Sequence, residues 1–449
     1  MNKLEIKTIH DIKNFLILWI GQFASQLGIS MTNFAIIIWA YKQTNSVLSI
    51  SMLSVCSYLP YILVSMFAGA LVDRYNKKYI MLVYHIVAVF CSLYLFSLIA
   101  NGTLRLWHVY IVNLLIGFMD AFQSPALSVS ITMTVPKQYY AKTSGLQSLS
   151  NNFSTIFTPI LATALLAYAG IKFVVLIELI MFLFAFCTLL LFVKIPHAKK
   201  EKGTIKTNYW NNCKNGFLYL IENKAIFNLI LFMSIINLLA SMAYNNVLPA
   251  MILARTNNNE FALGAITSAI GAGGILGSIL VTLGKAPKDH IKRIFNSCAL
   301  SFLICDIWLG LGRNFYIWAL AVFIGNIPVP FLNASEQTVL RTKIPTELQG
   351  RVFSLRGALQ FGTIPIGYLV GGFLADKVFE PAMQNSIWMQ NTFGTLVGTG
   401  NGSGMAIIFL ISGTIGSLLS ITYKNNRNIK KLNENTVMTK YITNNNFQC

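Results

Sequence analysis

The sequence predicts an all-α integral membrane protein whose twelve transmembrane helices form two six-helix bundles. Three observations carry this. Apolar residues make up 55% of the 449 positions and charged residues 11%, outside the range of soluble domains. The apolar runs are each about 20 residues long, the length an α-helix needs to cross the hydrocarbon core. Segments between them alternate in basic content, as they do when a chain crosses a membrane repeatedly.

In order, the runs place spans at 15–40, 47–71, 79–100, 107–133, 144–169, 172–194, 225–252, 261–284, 293–312, 315–340, 350–375 and 403–423. The apolar segment after the polar stretch Met1 to Asn14 lacks a small-residue cleavage site and is expected to remain as the first helix. With the N-terminus inside, the external segments hold only Lys42, Arg105, Lys172, Arg255, Arg313 and Lys377; the other 28 of the 34 bases are internal. Both termini are therefore expected on the cytoplasmic side of a multi-pass protein of the plasma membrane. The net charge of +19 follows this topology, and no basic stripe interleaved with aromatics points to nucleic acid.

The domain expectation is a bundle over 1–194, a basic cytoplasmic linker over 195–224, a second bundle over 225–423 and a disordered basic tail over 424–449. Within the linker, Phe217, Leu218 and Ile221 fall at helical spacing, as in a short interfacial helix; a solvated linker is the alternative. The halves also repeat. Gly117 to Pro136 ends in a Thr-Val-Pro-Lys-Gln run, the segment at Pro345 reads Lys-Ile-Pro-Thr-Glu, and each copy continues into a helix with an internal proline, Pro159 or Pro365. Two such repeats around a midplane site are what a rocking transporter requires.

Between spans 2 and 3 lies Gly69-Ala-Leu-Val-Asp73-Arg74-Tyr75-Asn76-Lys77-Lys78. Glycine permits close helix approach, the carboxylate can bond a helix N-terminus or an arginine, and the bases hold the loop inside. This run resembles the loop between helices 2 and 3 of the major facilitator superfamily, with Asn76 in place of a glycine and Lys77 in place of an arginine. Pro345-Thr-Glu-Leu-Gln-Gly350-Arg351-Val352-Phe353 is similar to the loop between helices 10 and 11 of exporters in that superfamily. Asp376-Lys-Val-Phe379-Glu380-Pro381 followed by Gly400-Asn-Gly402-Ser-Gly404 resembles macrolide efflux proteins. Two family features are altered: Asn113 stands where exporters often carry an arginine, and the antiporter motif of helix 5 reads Thr158-Pro159-Ile160-Leu161-Ala162. Pro159 still removes a backbone donor and can bend its helix.

The resemblance implies the major facilitator fold, with helices 1, 4, 7 and 10 lining a central cavity. It implies export of an amphipathic small molecule in exchange for protons by alternating access, with Gly69, Asp73, Arg74, Lys77 and Lys78 as a conformational latch against the start of span 11. Another cargo, such as a siderophore or a lipid, is the alternative. Cargo, protons and the lipid bilayer are the expected partners, with no obligate protein partner.

Four acids fall inside the spans, Asp120, Glu178, Asp306 and Glu336, and each needs a partner or a task. Asp120 is the first proton-coupling candidate; its alternative is a packing role beside Asn113 or Gln123. Glu336 is the second, with an ion pair to Arg356 as its alternative. Glu178 and Asp306 lie on peripheral helices and suit a structural role. Neutral polar stripes mark cavity candidates: Gln22, Gln26 and Asn33 on span 1; Asn237, Ser241 and Asn245 on span 7; Gln147 and Asn151 on span 5; Gln360 on span 11; and Asn113 and Gln123 beside Asp120. Such stripes equally glue helices together. Phe34, Trp39, Tyr58 and Tyr61 offer aromatic walls.

The glycines Gly271, Gly273, Gly274 and Gly277 lie in an apolar span, where small residues let helices meet closely. No G-x-x-x-x-G-K-[ST], H-E-x-x-H or G-x-S-x-G run occurs, so neither ATP as direct fuel nor an enzyme is indicated, and no cofactor or metal is implied. The seven cysteines have no C-x-x-C spacing, which suits packing.

Overall fold

Lys13 opens a helix that runs without interruption to Thr44, α1 (Lys13–Thr44, 32 residues). A computed structural model describes residues 13–136, 140–195, 218–284, 287, 289–344, 346–426, 429 and 432. Asn45, with φ of 50°, turns the chain into α2 (Val47–Arg74), and asparagine is among the few side-chain-bearing residues that tolerate this left-handed region. Asn76, which replaces the family's glycine, caps α3 (Lys77–Ala100) by accepting from the Lys78 backbone N–H at 2.9 Å. After α4 (Leu106–Thr134), the chain forms α5 (Tyr140–Leu191), 52 residues divided at Gly170, where φ is 73° and ψ is 177°. Only glycine adopts that conformation without strain, so this position makes the bend.

In the second half the long spans are segmented. α6 (Lys224–Tyr244) and α7 (Val247–Arg255) are separated at Asn245 and Asn246. α8 (Glu260–Leu283) follows. α9 (His290–Ser301) passes through a π-helical turn, Phe302–Asp306, into α10 (Ile307–Leu311). Pro328 separates α11 (Phe315–Asn326) from α12 (Val329–Lys343), because a proline cannot donate to the preceding turn. α13 (Thr346–Phe373) runs into a second π-helical turn, Leu374–Phe379. Three short helices, α14 (Glu380–Asn385), α15 (Ile387–Thr392) and α16 (Gly394–Val397), then lead to α17 (Ser403–Lys424).

The described residues are all helix and connection, without strands. Eleven stretches among them are long and apolar enough to cross a membrane. One of these, Leu149–Leu191, runs 43 residues, roughly twice the ~20 that one crossing requires. Gly170 divides it, and read as two spans on either side of that break it would bring the eleven to the twelve expected from sequence. The expected interfacial helix lies largely outside the described residues, although 218–222 are helical, and the tail lies outside them almost entirely.

The chain gathers into two compact units: the described residues of Met1–Lys200 with Thr256–Ser268, and those of Glu201–Arg255 with Ala269–Cys449. In the first, α1 lies along both arms of α5, α2 packs on α4, and α3 contacts α4 and α5. One core layer joins Ile36, Leu53, Leu95, Val112 and Val175; another joins Leu18, Met81, Ala126 and Leu189. Gly117 of α4 lies directly on the Ser57 backbone of α2, leaving no room for a Cβ. The first turns of α8 belong to this unit, with Glu260 ion-paired to Lys42 at the end of α1 and the Ser268 hydroxyl donating to Ile156 O at 2.9 Å.

In the second unit, α6 packs along α13, and α9, the first π-helical turn and α10 pack on α17. Phe232 and Phe295, both fully buried, meet edge to face at 4.7 Å between ring centroids. Gly273 and Gly277 of α8 face the backbone of Phe323 and Ile327, as their close-contact role requires, whereas Gly274 faces open space. Cys91, Cys298 and Cys305 are buried free thiols.

Candidate functional site

The polar residues of the first unit converge on α1. Gln22 lies 3.0 Å from His85 of α3 between their Nε2 atoms and accepts from Gln123 of α4 at 2.9 Å. Gln26 donates to Asn151 Oδ1 on the first arm of α5 at 3.0 Å. The expected stripe thus both joins helices and keeps an open edge, since Gln26, Asn33 and Asn151 are exposed. Gln147 is half-buried on the same arm of α5. Asn113 is spent on α2, donating to Leu53 O at 3.1 Å.

Asp120 takes its hydrogen bond from neither of the neighbours suggested by its own helix. The Tyr84 hydroxyl of α3 faces its carboxylate. Tyr84 is buried, with its ring edge against Phe182.

Beside Gln26 and Asn151 runs an aromatic ladder. Trp19 stacks on Phe23 at 6.0 Å, Phe23 meets the edge of Phe153 at 5.6 Å, and Phe153 stacks on Phe157 at 4.0 Å. Steps of four residues along α1 and α5 align each helix's two rings on one face. The Trp19 indole is fixed by donating to Leu146 O at 3.2 Å, while Phe153 and Phe157 are exposed. Sequence reasoning missed this ladder, although the spacing of four beside the polar stripes was the available signal. Of the aromatics it named, Phe34 and Trp39 pack against core clusters, and Tyr58 and Tyr61 meet edge to face on α2.

The second unit spends its polar stripe on packing. Asn237 donates to Gln360 O at 3.4 Å, Asn245 donates to the Tyr368 hydroxyl at 2.9 Å, and Ser241 donates to Leu238 O of its own helix while seated against Gly367. All three bind α6 to α13. Glu336 of α12 pairs with Arg356 of α13 at 2.9 Å, accepts from Gln360 Nε2 at 2.9 Å, and Arg356 Nε in turn donates to Gln360 Oε1 at 3.0 Å. This closed triad is the ion-pair alternative for Glu336, with Gln360 as an added member.

Lys78 of the expected latch donates to Leu190 O and Val193 O at 3.0 and 2.8 Å, closing the C-terminal carbonyls of α5 within its own unit. Lys77 is buried. Gly69, Asp73 and Arg74 fall on the end of α2, with their side chains outside the described set. Among the described residues, no three His, Cys, Asp or Glu side chains gather as a metal site.

The Major Facilitator Superfamily profile matches residues 18–361. Macrolide efflux protein A of Streptococcus pyogenes is 26% identical over 365 residues, covering 81% of this chain and 90% of the relative. Its namesake in Enterococcus faecalis is 26% identical over 322 residues, covering 72% and 98%. Among solved structures, a variant of the nucleoside transporter NupG matches with a TM-score of 0.67 at 13% identity, covering 91% of this chain and 98% of that one. A bacterial homologue of the iron transporter ferroportin in the inward-facing state matches with a TM-score of 0.63 at 14% identity, covering 92% and 99%. At such identities these two structures speak for the fold alone.

Proposed function

The chain belongs to the Major Facilitator Superfamily, and on that premise we propose that it is a secondary exporter of bulky amphipathic molecules of the macrolide kind, driven by proton antiport through alternating access in the cell membrane. The observation that carries the cargo class is the exposed aromatic ladder beside an exposed amide pair. Trp19, Phe23, Phe153 and Phe157 offer apolar ring faces, and Gln26 with Asn151 offers donors and acceptors at its rim. A lipid-facing surface has no use for exposed amides, whereas a cargo with an apolar body and scattered hydroxyls uses both. The relatives named for macrolide efflux support the same cargo and direction.

Coupling is assigned to Asp120, half-buried on α4 beside Tyr84. It has no cation partner among the described residues, so it can gain and lose a proton without breaking an ion pair. The α2–α3 loop, with Asp73 and Arg74, acts as the latch between conformations.

The test is drug accumulation in an efflux-deficient bacterium expressing the chain. Accumulation of erythromycin should fall and recover when a protonophore is added. Phe153→Ala and Phe157→Ala should each weaken export about 2- to 10-fold, corresponding to the ~0.5–1.5 kcal/mol that an aromatic contact adds beyond area. Unchanged macrolide accumulation with the protein present in the membrane would overturn this reading and move attention to siderophore or lipid cargo.

A further inference from the structure

Three acids are fully buried among the described residues: Glu178, Asp306 and Glu336, exposed by 5%, 1% and 2%. Glu336 has Arg356 beside it. The other two have no cation partner among the described residues, and hydroxyls alone supply their side-chain bonds. Ser92 of α3 donates to Glu178 Oε2 at 3.1 Å, and Thr32 of α1 faces the same carboxyl. Ser412 of α17 donates to Asp306 Oδ1 at 2.7 Å, and the Tyr244 hydroxyl at the end of α6 donates to Oδ2 at 3.2 Å.

These are one contact built twice with its roles exchanged. In the first half the acid is on the sixth span and the serine on the third; in the second half the acid is on the ninth, the third of its repeat, and the serine on the twelfth. A hydroxyl from the first span of each half lies at each acid: Tyr244 is bonded to Asp306, and Thr32 faces Glu178 with its own hydroxyl unbonded. Two unrelated packing accidents would not keep the same three helices of each repeat.

An ionised carboxylate in a span with only hydroxyls around it is costly, whereas a neutral acid is accommodated there. The titratable and polar neighbours are Tyr84, Cys91 and Ser92 of α3 and Thr32 of α1 around Glu178, with Asp120 of α4 beyond Tyr84. Around Asp306 they are Cys298 and Cys305 of its own span, Tyr244 and Ser412. None is a cation. Asp306 also closes the π-helical turn Phe302–Asp306, an irregularity that recurs at functional sites. Tyr84 faces Asp120 and lies within electrostatic reach of Glu178, which places it between the buried site and the half-buried acid.

We propose that Glu178 and Asp306 are a matched pair of proton-binding sites, one inside each bundle, that load and release the protons exchanged for cargo. This rests on the antiport reading above. At each site a carboxyl O–H bond forms with a proton taken from water on one side of the membrane and breaks as that proton is delivered to water on the other; no electrons move.

The experiment uses proteoliposomes with an internal pH-sensitive dye and an imposed erythromycin gradient. Wild-type protein should move protons against the drug. Glu178→Gln and Asp306→Asn, which keep size and acceptor but cannot release a proton, should each lower protons moved per drug by about a third, and the double variant should leave only the share that Asp120 carries while downhill drug exchange persists. Where these variants fold poorly, Ser92→Ala and Ser412→Ala should move the pH midpoint of exchange, because each removes a bond to the titrating carboxyl; a packing role would leave that midpoint in place. Unchanged proton movement per drug in both acid variants, or an unmoved midpoint in both serine variants, overturns the proposal alone. Drug movement without protons in the wild type overturns the antiport reading and this proposal with it.

Discussion

Replacing Arg356 by glutamine should destabilise the second unit far more than a surface ion pair would allow. Glu336 keeps only 3% of its side chain exposed, and Arg356 keeps 16%, so the pair is shielded from solvent screening. Removing the guanidinium leaves a buried carboxylate with Gln360 alone, and breaking a buried pair this way costs ~3–5 kcal/mol. The double variant Glu336→Gln with Arg356→Gln buries neutral amides instead and should recover most of that loss, since a neutral pair carries no uncompensated charge. Reversible denaturation of the purified protein in detergent, for wild type, both single variants and the double, closes a thermodynamic cycle whose coupling term measures the pair. If the triad serves to fix the turn between α12 and α13, the pH dependence of transport should stay unchanged in the double variant. A single Arg356→Gln variant within ~1 kcal/mol of wild type would refute the argument.

The other expectations concern motion, coupling and packing. Asp120→Asn should abolish erythromycin uptake against its gradient under an imposed pH difference while sparing downhill exchange, because asparagine keeps the shape and cannot release a proton; uphill rates equal to wild type in proteoliposomes would make Asp120 structural. Asp73→Asn should slow export without altering membrane insertion, since it removes a charge-assisted contact of ~1.5–3 kcal/mol made in one conformation only; wild-type rates would show that the α2–α3 loop is no latch. Gly117→Val should cost ~1–3 kcal/mol or more by forcing α4 off the Ser57 backbone, read as a lower unfolding temperature by intrinsic fluorescence.

The sequence made the spans legible because bilayer thickness sets their length, and it put the break between spans 5 and 6 at 170–171, where Gly170 turns the chain, while Pro159, expected to bend its helix, lies inside α5. It did not reveal the π-helical turn at Phe302–Asp306, where no glycine or proline marks the chain and whose contacts with α11 and α17 are set by tertiary packing. The short helices between Phe379 and Gly402 were equally hidden, since their polar composition reads as a loop. At the candidate site, the ion pair of Glu336 with Arg356 was legible from their similar depth only as the alternative to a coupling role. Asp120 was not paired correctly, because the neighbours considered share its helix, whereas Tyr84 arrives from α3 through a register that only tertiary packing sets. Asn76, a departure from the family pattern in sequence, turned out to be a helix cap.

At one end of the second unit, Glu380 accepts from the backbone N–H groups of Gly402 and Gly404 at 2.6 and 3.0 Å, Arg255 donates to Gly312 O and Val397 O at 2.9 and 2.7 Å, and Arg313 donates to Thr395 O. Every one of these ties ends on main chain. The charges that hold residues 395 and 397 do not read their side chains, so the exposed Thr395 and Leu396 are free to vary in descendants of this protein, while the buried Val397, the three charged hubs and the positive-φ Gly398, Gly400 and Gly402 must persist. Mutational tolerance and geometric constancy coexist there, which makes the segment a natural place for lineages to diversify what they present without redrawing the bundle beneath.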